Sequence, residues 1–233
     1  MSRKWAVVGE VNRRADRPRG FFEPYYGEKI DLKYVKIAAG TGIPLTALQV
    51  SDSLDPLAWS DALGWAKKNI RRAFVIHCGN TGGATLPAGA ILAPGEKDSD
   101  GVPFAAKTVA GINFVAIDDS TGTVTAEQAA AVKAEFGKGQ PVVLVCHVPF
   151  YSEGVLEGYR ACVDDADRDA TIARQRGDAT TQAFWKSLRD EPLLKGVLAG
   201  HLGVTLEDDF SATARQYVVG ANTNISGEEV LFA

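Results

Sequence analysis

The chain contains a series of short apolar runs, and these constrain its fold more than any other feature. They span residues 5–8, 46–50, 73–76, 112–117, 142–145, 196–199 and 216–219. Most are rich in valine and isoleucine and are bounded by glycine, proline, aspartate or histidine, which is typical of strands covered on both faces. The runs therefore predict a set of buried β-strands.

Helical stretches lie between several of these runs. Residues 56–72 end on the basic sequence KKNIRR, which suits a helix C-terminus. Residues 125–136 open with Thr125 and Gln128 in a capping-box pattern, and residues 180–188 repeat the helical periodicity. Strands that alternate with helices predict an α/β layered fold.

Two long stretches fit this alternation poorly. Residues 13–42 are rich in glycine, proline, arginine and aromatic residues, and residues 153–178 are charged and weakly periodic. We expect long loops in both places, the first with one short helix around residues 30–38. Loops of this length in a compact domain are more often functional covers than spacers.

Composition and charge limit the number of domains, the classes of partner and the cellular location that we expect. The 233 residues are 45% hydrophobic, which is enough for one domain over residues 1–233. A net charge of −4 gives no general reason to bind nucleic acid or an anionic membrane. No apolar run approaches the roughly 20 residues that cross a bilayer, and the one near the start is too brief for a signal peptide. We therefore expect a cytoplasmic protein.

Each of the three histidines follows or ends an apolar run: His77 in AFVIHCGN, His147 in VVLVCHVPF and His201 in GVLAGHLG. Asp52 and Asn80 stand at similar positions, in LTALQVSDSLD and in CGNTGG. Ligands of α/β proteins gather outside the carboxyl ends of strands, so these side chains could form a mixed nitrogen and oxygen site for a divalent metal. Each has an ordinary structural explanation too: a buried histidine, a helix cap or a turn.

The order of these segments resembles that of the calcineurin-like metallophosphoesterases over nearly the whole chain. That family carries D-x-H, G-D, G-N-H-D/E, a histidine in an H-x-P-like turn, and G-H-x-H, in that order. Here VSDSLD stands at the G-D segment, CGNTGG at G-N-H-D, CHVPF at the histidine turn and AGHLG at G-H-x-H. The resemblance implies an αββα sandwich, in which two β-sheets pack face to face between helices.

The resemblance also implies a set of metal ligands. Asp52 matches the carboxylate that bridges the two metals of the family, and Asn80, His147 and His201 match the remaining ligands of one of these metals. We read His77 as structural.

The ligands of the family's other metal are depleted. GEVN is the best match to D-x-H and makes Glu10 and Asn12 further candidates, whereas Gly203 replaces the last histidine. We therefore expect a site for one divalent ion, zinc, manganese or iron.

The residue that would protonate the leaving group is also missing. Thr81 stands where the family has the histidine that acts as this acid, and Gly82 replaces the acidic residue after it. The pKa of a threonine hydroxyl is far too high for general acid catalysis near neutral pH.

Three functions stay open on this basis. The first is a hydrolase of a small-molecule phosphate ester with a reduced metal site, and the second is a non-catalytic binding or scaffolding domain that holds one metal ion or none. The third is a thiol hydrolase that uses Cys78 or Cys146, but adjacent strand residues point to opposite faces, so their neighbouring histidines cannot readily assist them. The retained ligand set favours the first function, and the absent acid favours the second.

Overall fold

Two six-stranded mixed β-sheets form the centre of the protein. The computed structural model describes residues 4–5, 31–52, 74–83, 85–98, 102–162, 168–220 and 226–233. The first sheet has the order β1-β2-β12-β3-β4-β5, and its strands are Lys4–Trp5 (β1), Asp31–Ile37 (β2), Leu45–Val50 (β3), Phe74–His77 (β4), Ile91–Leu92 (β5) and Ser226–Phe232 (β12). The second has the order β10-β11-β9-β8-β7-β6, and its strands are Phe104–Val109 (β6), Ile112–Ile117 (β7), Val142–Val145 (β8), Leu194–Ala199 (β9), Leu206–Asp209 (β10) and Arg215–Val218 (β11).

The directions of the strands determine which strand ends lie together, and with them the polar residues that follow these strands. In the first sheet β3, β4 and β5 run parallel to one another. In the second sheet β7, β8, β9 and β11 are parallel neighbours, flanked by antiparallel β6 and β10. Parallel strands present their carboxyl ends at one edge, so the segments that follow β3, β4 and β5 are grouped together, as are those that follow β8 and β9.

The two sheets pack against each other through an apolar layer. Val35, Ile37 and Ile76 of the first sheet belong to the same buried cluster as Phe114 and Val145 of the second. All six residues of β7 are buried, because its alternate side chains face the first sheet and the helices on the other side. A strand covered on both faces reads as a continuous apolar run, which is why the sequence reveals these central strands.

Helices cover the outer face of the second sheet. They are Ala126–Phe136 (α1), Glu153–Cys162 (α2), Arg168–Arg176 (α3) and Ala179–Arg189 (α4). Helix α1 begins at the predicted capping box, in which the Thr125 side chain accepts from the Gln128 N–H and the Gln128 side chain accepts from the Thr125 N–H. Phe136 of α1 and Phe184 of α4 pack into the buried cluster on this face.

Two predictions for the long stretches are wrong, although residues 13–30 of the first stretch lie outside the described part of the chain. The short helix expected around residues 30–38 is strand β2, where Val35 and Ile37 are buried while Lys36 is exposed, so the side chains alternate with a period of two. The expected loop over residues 153–178 contains α2 and α3. Helix α2 buries Val155, Leu156 and Tyr159 on one face, a helical pattern that the expectation of a loop overlooked, whereas α3 buries Ile172 as its one apolar side chain and so has weak periodicity.

Several predicted elements lie partly or wholly outside the described residues. The predicted helix over residues 56–72 does so entirely, and only Trp5 of the predicted strand 5–8 is described. Within the described part of the chain, no helix has the length and apolar character needed to cross a membrane.

Candidate metal centre

The four ligands predicted from the sequence come together between the carboxyl ends of the two sheets. Asp52 follows β3 and Asn80 follows β4, while His147 and His201 follow β8 and β9. Asn80 Nδ2 lies 2.8 Å from Asp52 Oδ1 and 3.3 Å from His147 Nε2. His201 Nδ1 lies 3.2 Å from His147 Nε2, and the His201 N–H donates to Asp52 Oδ2 at 3.1 Å.

The backbone is strained at this same place. Among the described residues, Asp52, Asn80, His201 and Ala110 are the non-glycine residues with positive φ, at 50°, 58°, 67° and 50°. Ala110 lies in the tight turn between β6 and β7, where this conformation is ordinary. The others are predicted metal ligands. Such conformations cost about 1–3 kcal/mol each and cluster at functional sites.

Gly79 makes room for the His147 ring. It has a φ of +90°, and a Cβ at this position would lie 2.5 Å from His147 Nδ1. With that space available, His147 Nδ1 lies 2.6 Å from the Cys78 carbonyl oxygen and donates to it. This hydrogen bond fixes the tautomer and leaves Nε2 pointing into the centre, as in histidines that bind metals.

Glu96 also lies in the centre, although the sequence analysis did not single it out. Its Oε2 is 2.7 Å from His147 Nε2 and 3.6 Å from His201 Nδ1. Glu96, His147 and His201 form a group whose ligand atoms all lie within 4.8 Å of one another. The residue follows β5, a strand of two residues, and so short an apolar run is difficult to recognise in a sequence.

Asp98 ties the Glu96 loop to the end of β4. Its carboxylate accepts from the backbone N–H groups of Asn80, Thr81 and Gly95 at 2.7–2.9 Å, and from the Thr81 hydroxyl at 2.8 Å. Burial raises the pKa of Asp98, but these hydrogen bonds outweigh it and lower the pKa overall. The loop is therefore held by an ionised side chain.

The centre favours an ion pair between Glu96 and His147. Hydrogen bonds from His147 and His201 hold the pKa of Glu96 far below its usual range. Burial lowers the pKa of His147, but the hydrogen bond to Glu96 and the charge of Asp52 outweigh burial and raise it. Behind His147, Asp119 accepts from the N–H groups of His147 and Val148, and complete burial raises the pKa of Asp119 to about 7.

The orientation of Asn80 differs from that of a metal ligand. Its side-chain oxygen accepts from the Lys97 N–H at 2.9 Å, so that its nitrogen, a donor, faces Asp52 and His147. Coordination through the oxygen would require the amide to turn over.

The other residues that the sequence suggested for the site have different outcomes. Glu10 and Asn12 lie outside the described residues. Thr81 donates its hydroxyl to Asp98, and burial lowers the pKa of His77 to about 4, so this imidazole is neutral at physiological pH.

Burial raises the pKa values of the two strand-end thiols, Cys78 and Cys146, well above the usual range. Protonated thiols are poor nucleophiles, which argues against the thiol hydrolase.

A solved structure shares this architecture. The fold is similar to that of a dimetal phosphatase from Danio rerio, with a TM-score of 0.52 and 10% sequence identity, over 76% of this chain and 87% of that one. No protein-family model matches the chain, and neither does any curated protein. The predicted fold class is confirmed: the chain forms two mixed β-sheets flanked by helices, an α/β arrangement similar to that of the dimetal phosphatase. At this identity the similarity concerns the fold.

Proposed function

We propose that the chain is a metal-dependent phosphoester hydrolase that works with one divalent ion. The proposal depends mainly on one observation. The imidazole nitrogens of His147 and His201 lie 3.2 Å apart and close to carboxylates that follow the ends of strands. The backbone of Asp52 and of His201 has positive φ at this place. Histidine nitrogens with carboxylate oxygens suit zinc, manganese or iron. The fold, which is similar to that of a dimetal phosphatase, is consistent with phosphoester chemistry at this place.

The donor set of the described residues supports one ion better than two. Asp52, His147 and His201 remain from the expected ligands, whereas Gly203 offers no side chain where the family has a second histidine. A two-metal clamp needs ligands for both ions at a separation of about 3.5–4 Å. We therefore infer a mononuclear centre.

The protein groups around the ion have separable tasks. A bound divalent ion lowers the pKa of water and polarises a phosphoryl oxygen. The Cys78 carbonyl fixes the tautomer of His147, and the Asn80 side chain and the His201 N–H orient Asp52. Thr81 is half-buried and donates to Asp98, so it delivers no proton to a leaving group. We expect substrates whose leaving group departs as a stable anion, such as aryl phosphate esters.

The same centre gives specific support to a second function. The Glu96 carboxylate and the His147 imidazole form a 2.7 Å ion pair that satisfies both groups without an ion. A non-catalytic domain of this fold, in which the ion pair replaces the metal, is the alternative.

Two measurements separate these functions. Protein purified without chelator should contain one divalent ion per chain, and His147→Ala should remove it and lower the melting temperature, because an ion that binds the native state stabilises it.

The wild type should hydrolyse p-nitrophenyl phosphate at least about 10²-fold faster than an alkyl phosphate, the range that general acid assistance covers. Thr81→His, which restores the acid, should raise the rate on the alkyl ester and change the aryl rate little. Bound metal without turnover of either ester, in the wild type and in this variant, would favour the non-catalytic domain.

A further inference from the structure

Glu96 stands where a metal ligand would stand, and its distances to both histidines support this role. The three separations between Glu96 Oε2, His147 Nε2 and His201 Nδ1 are 2.7, 3.2 and 3.6 Å. A tetrahedron built on metal–ligand bonds of about 2.0–2.1 Å has edges of about 3.3 Å. The three atoms are thus spaced like the corners of one face of such a tetrahedron.

The loop that carries Glu96 is built into the centre. Gly95 lies so close to Asn80 that a Cβ at position 95 would collide with the Asn80 side chain and backbone. Asp98 fixes the loop to the residues after β4, and the Lys97 N–H donates to the Asn80 oxygen. These contacts lie on both sides of Glu96, so its position is imposed by the loop backbone.

We propose that Glu96 is a ligand of the metal ion: with His147 and His201 it forms a set of two histidines and one carboxylate, to which Asp52 adds a second carboxylate. The inference rests on the proposed function, since it concerns the same ion. Catalytic zinc sites commonly use two histidines, one glutamate and an open position for water, and the same donors on one face serve iron(II). The expected ligand Asn80 then has another role: its amide nitrogen, which faces Asp52, orients that carboxylate.

The exposure of the three side chains shows on which side the centre meets solvent. The side chain of His147 is fully buried and that of His201 is 10% exposed, whereas that of Glu96 is 32% exposed. The centre therefore opens to solvent on the side of Glu96, where water or a phosphoryl oxygen can approach. Because Glu96 belongs to a partly exposed loop, its substitution should leave the fold intact.

The test is metal affinity in Glu96→Gln, a variant that keeps the shape of the side chain and removes its charge. Metal-free protein is titrated with Zn²⁺ and with Co²⁺ against a chromophoric chelator, and the Co²⁺ absorption bands report the coordination. Loss of an outer partner typically weakens a metal site about 10–100-fold, so loss of this ligand should weaken affinity at least about 100-fold and alter the Co²⁺ spectrum. Glu157→Gln, which removes the same charge from an exposed position on α2, is the matched control.

The results distinguish this inference from the proposed function. If Glu96→Gln binds Zn²⁺ as tightly as the wild type while His147→Ala does not bind it, Glu96 is not a ligand, but the metal centre stands. If Glu96→Gln binds more tightly, Glu96 competes with the ion, and the inference is overturned. If the wild type binds neither ion, both the inference and the proposed function fail. Equal melting temperatures of metal-free wild type and Glu96→Gln exclude misfolding as the cause of weak binding.

Discussion

The candidate metal centre and the interior around Glu228 both contain carboxyl groups that are shielded from water. The groups in the centre are stabilised in the ionised form, whereas Glu228 is not. In the centre, Glu96 contacts two histidines and Asp98 accepts three backbone N–H groups. Glu228, on β12, is fully buried, and among the described residues neither of its oxygens has a hydrogen-bond partner. Lys33 lies 3.9 Å from one of its oxygens.

The pKa values follow this difference. Hydrogen bonds hold the pKa values of Glu96 and Asp98 below their usual range. Burial raises the pKa of Glu228 to about 8, since the opposing attraction of Lys33 is weaker and Glu207 repels the charge. Hydrogen bonds thus keep the carboxylates of the centre ionised, whereas burial without such bonds leaves Glu228 a neutral carboxylic acid. Burial of an acidic residue is therefore no sign of a site; its hydrogen-bond partners are.

The largest effect that we expect comes from Gly79→Ala. The added Cβ would meet His147 Nδ1 at 2.5 Å and Gly95 Cα at 2.9 Å, in a backbone conformation with φ of +90°. Strain and overpacking each cost about 1–3 kcal/mol, so the free energy of unfolding should fall by about 2–6 kcal/mol. Metal binding should be lost, because His147 must move. Urea denaturation and zinc titration measure the two effects.

Gly139→Ala is the matched control for this variant. Gly139 has a similar φ of +74°, but a Cβ there meets no atom within 4 Å. It should show the backbone strain alone, about 1–2 kcal/mol, with unchanged zinc affinity. Equal losses of stability in the two variants, with zinc still bound in both, would refute the close fit between Gly79 and His147.

The next largest effect is expected for Glu228→Gln, which should raise the free energy of unfolding at high pH, whereas Gly79→Ala lowers it. The folded protein keeps Glu228 protonated up to a pKa of about 8, while the unfolded chain releases the proton near 4.5. The folded state thus binds more protons between these values, and the stability of the wild type falls as the pH rises through this window. Glutamine carries no such proton, so the variant should match the wild type near pH 4.5 and exceed it by about 2–5 kcal/mol above pH 8.

Denaturation of both proteins at pH 5, 7 and 8.5 measures this difference. Zinc affinity should be unaffected, because Glu228 belongs to the interior and not to the metal centre. A stability difference independent of pH would mean that Glu228 is ionised in the folded protein, and the contrast between the two regions would disappear.

The smallest effect is expected for Asp98→Asn. The neutral amide keeps one oxygen acceptor but loses the charge-assisted hydrogen bonds that anchor the Glu96 loop. Zinc affinity should fall about 10-fold, as for other outer partners of metal ligands, with a modest loss of stability. Asp178→Asn makes the same change at the residue that caps α4 and accepts from Thr181; because asparagine caps a helix as well as aspartate does, neither stability nor zinc affinity should change much. Equal zinc affinity in wild type and Asp98→Asn would show that the loop needs no such anchor.

The sequence revealed the parts of the fold that are buried on both faces. Strand β7 was predicted at its observed boundaries, 112–117, because both of its faces contact apolar layers. Strand β2 was missed because its alternation of buried and exposed residues is short and Lys33, a charged residue, falls in phase with the buried positions Val35 and Ile37. The edge strand β6 was missed for a related reason, since only its end residues are partly buried.

The site was predictable where it lies at the ends of strong strands. His147 and His201 follow the central strands β8 and β9, whose apolar runs are clear in the sequence. Glu96 follows a strand of two residues, and its approach to the histidines depends on the contacts that Asp98 and Gly95 make with Asn80. Neither long-range contact leaves a local pattern in the sequence. The orientation of the Asn80 amide likewise depends on the Lys97 N–H, which no motif records.

The stoichiometry of bound metal tests the central claim most directly. Native mass spectrometry of metal-free protein titrated with Zn²⁺ gives the number of ions per chain, and His147→Ala identifies the site. We expect a mass increase of one ion in the wild type and none in the variant, since His147 Nε2 faces Glu96 and His201. Two ions in the wild type, or one ion retained after loss of His147, would contradict the single centre described above.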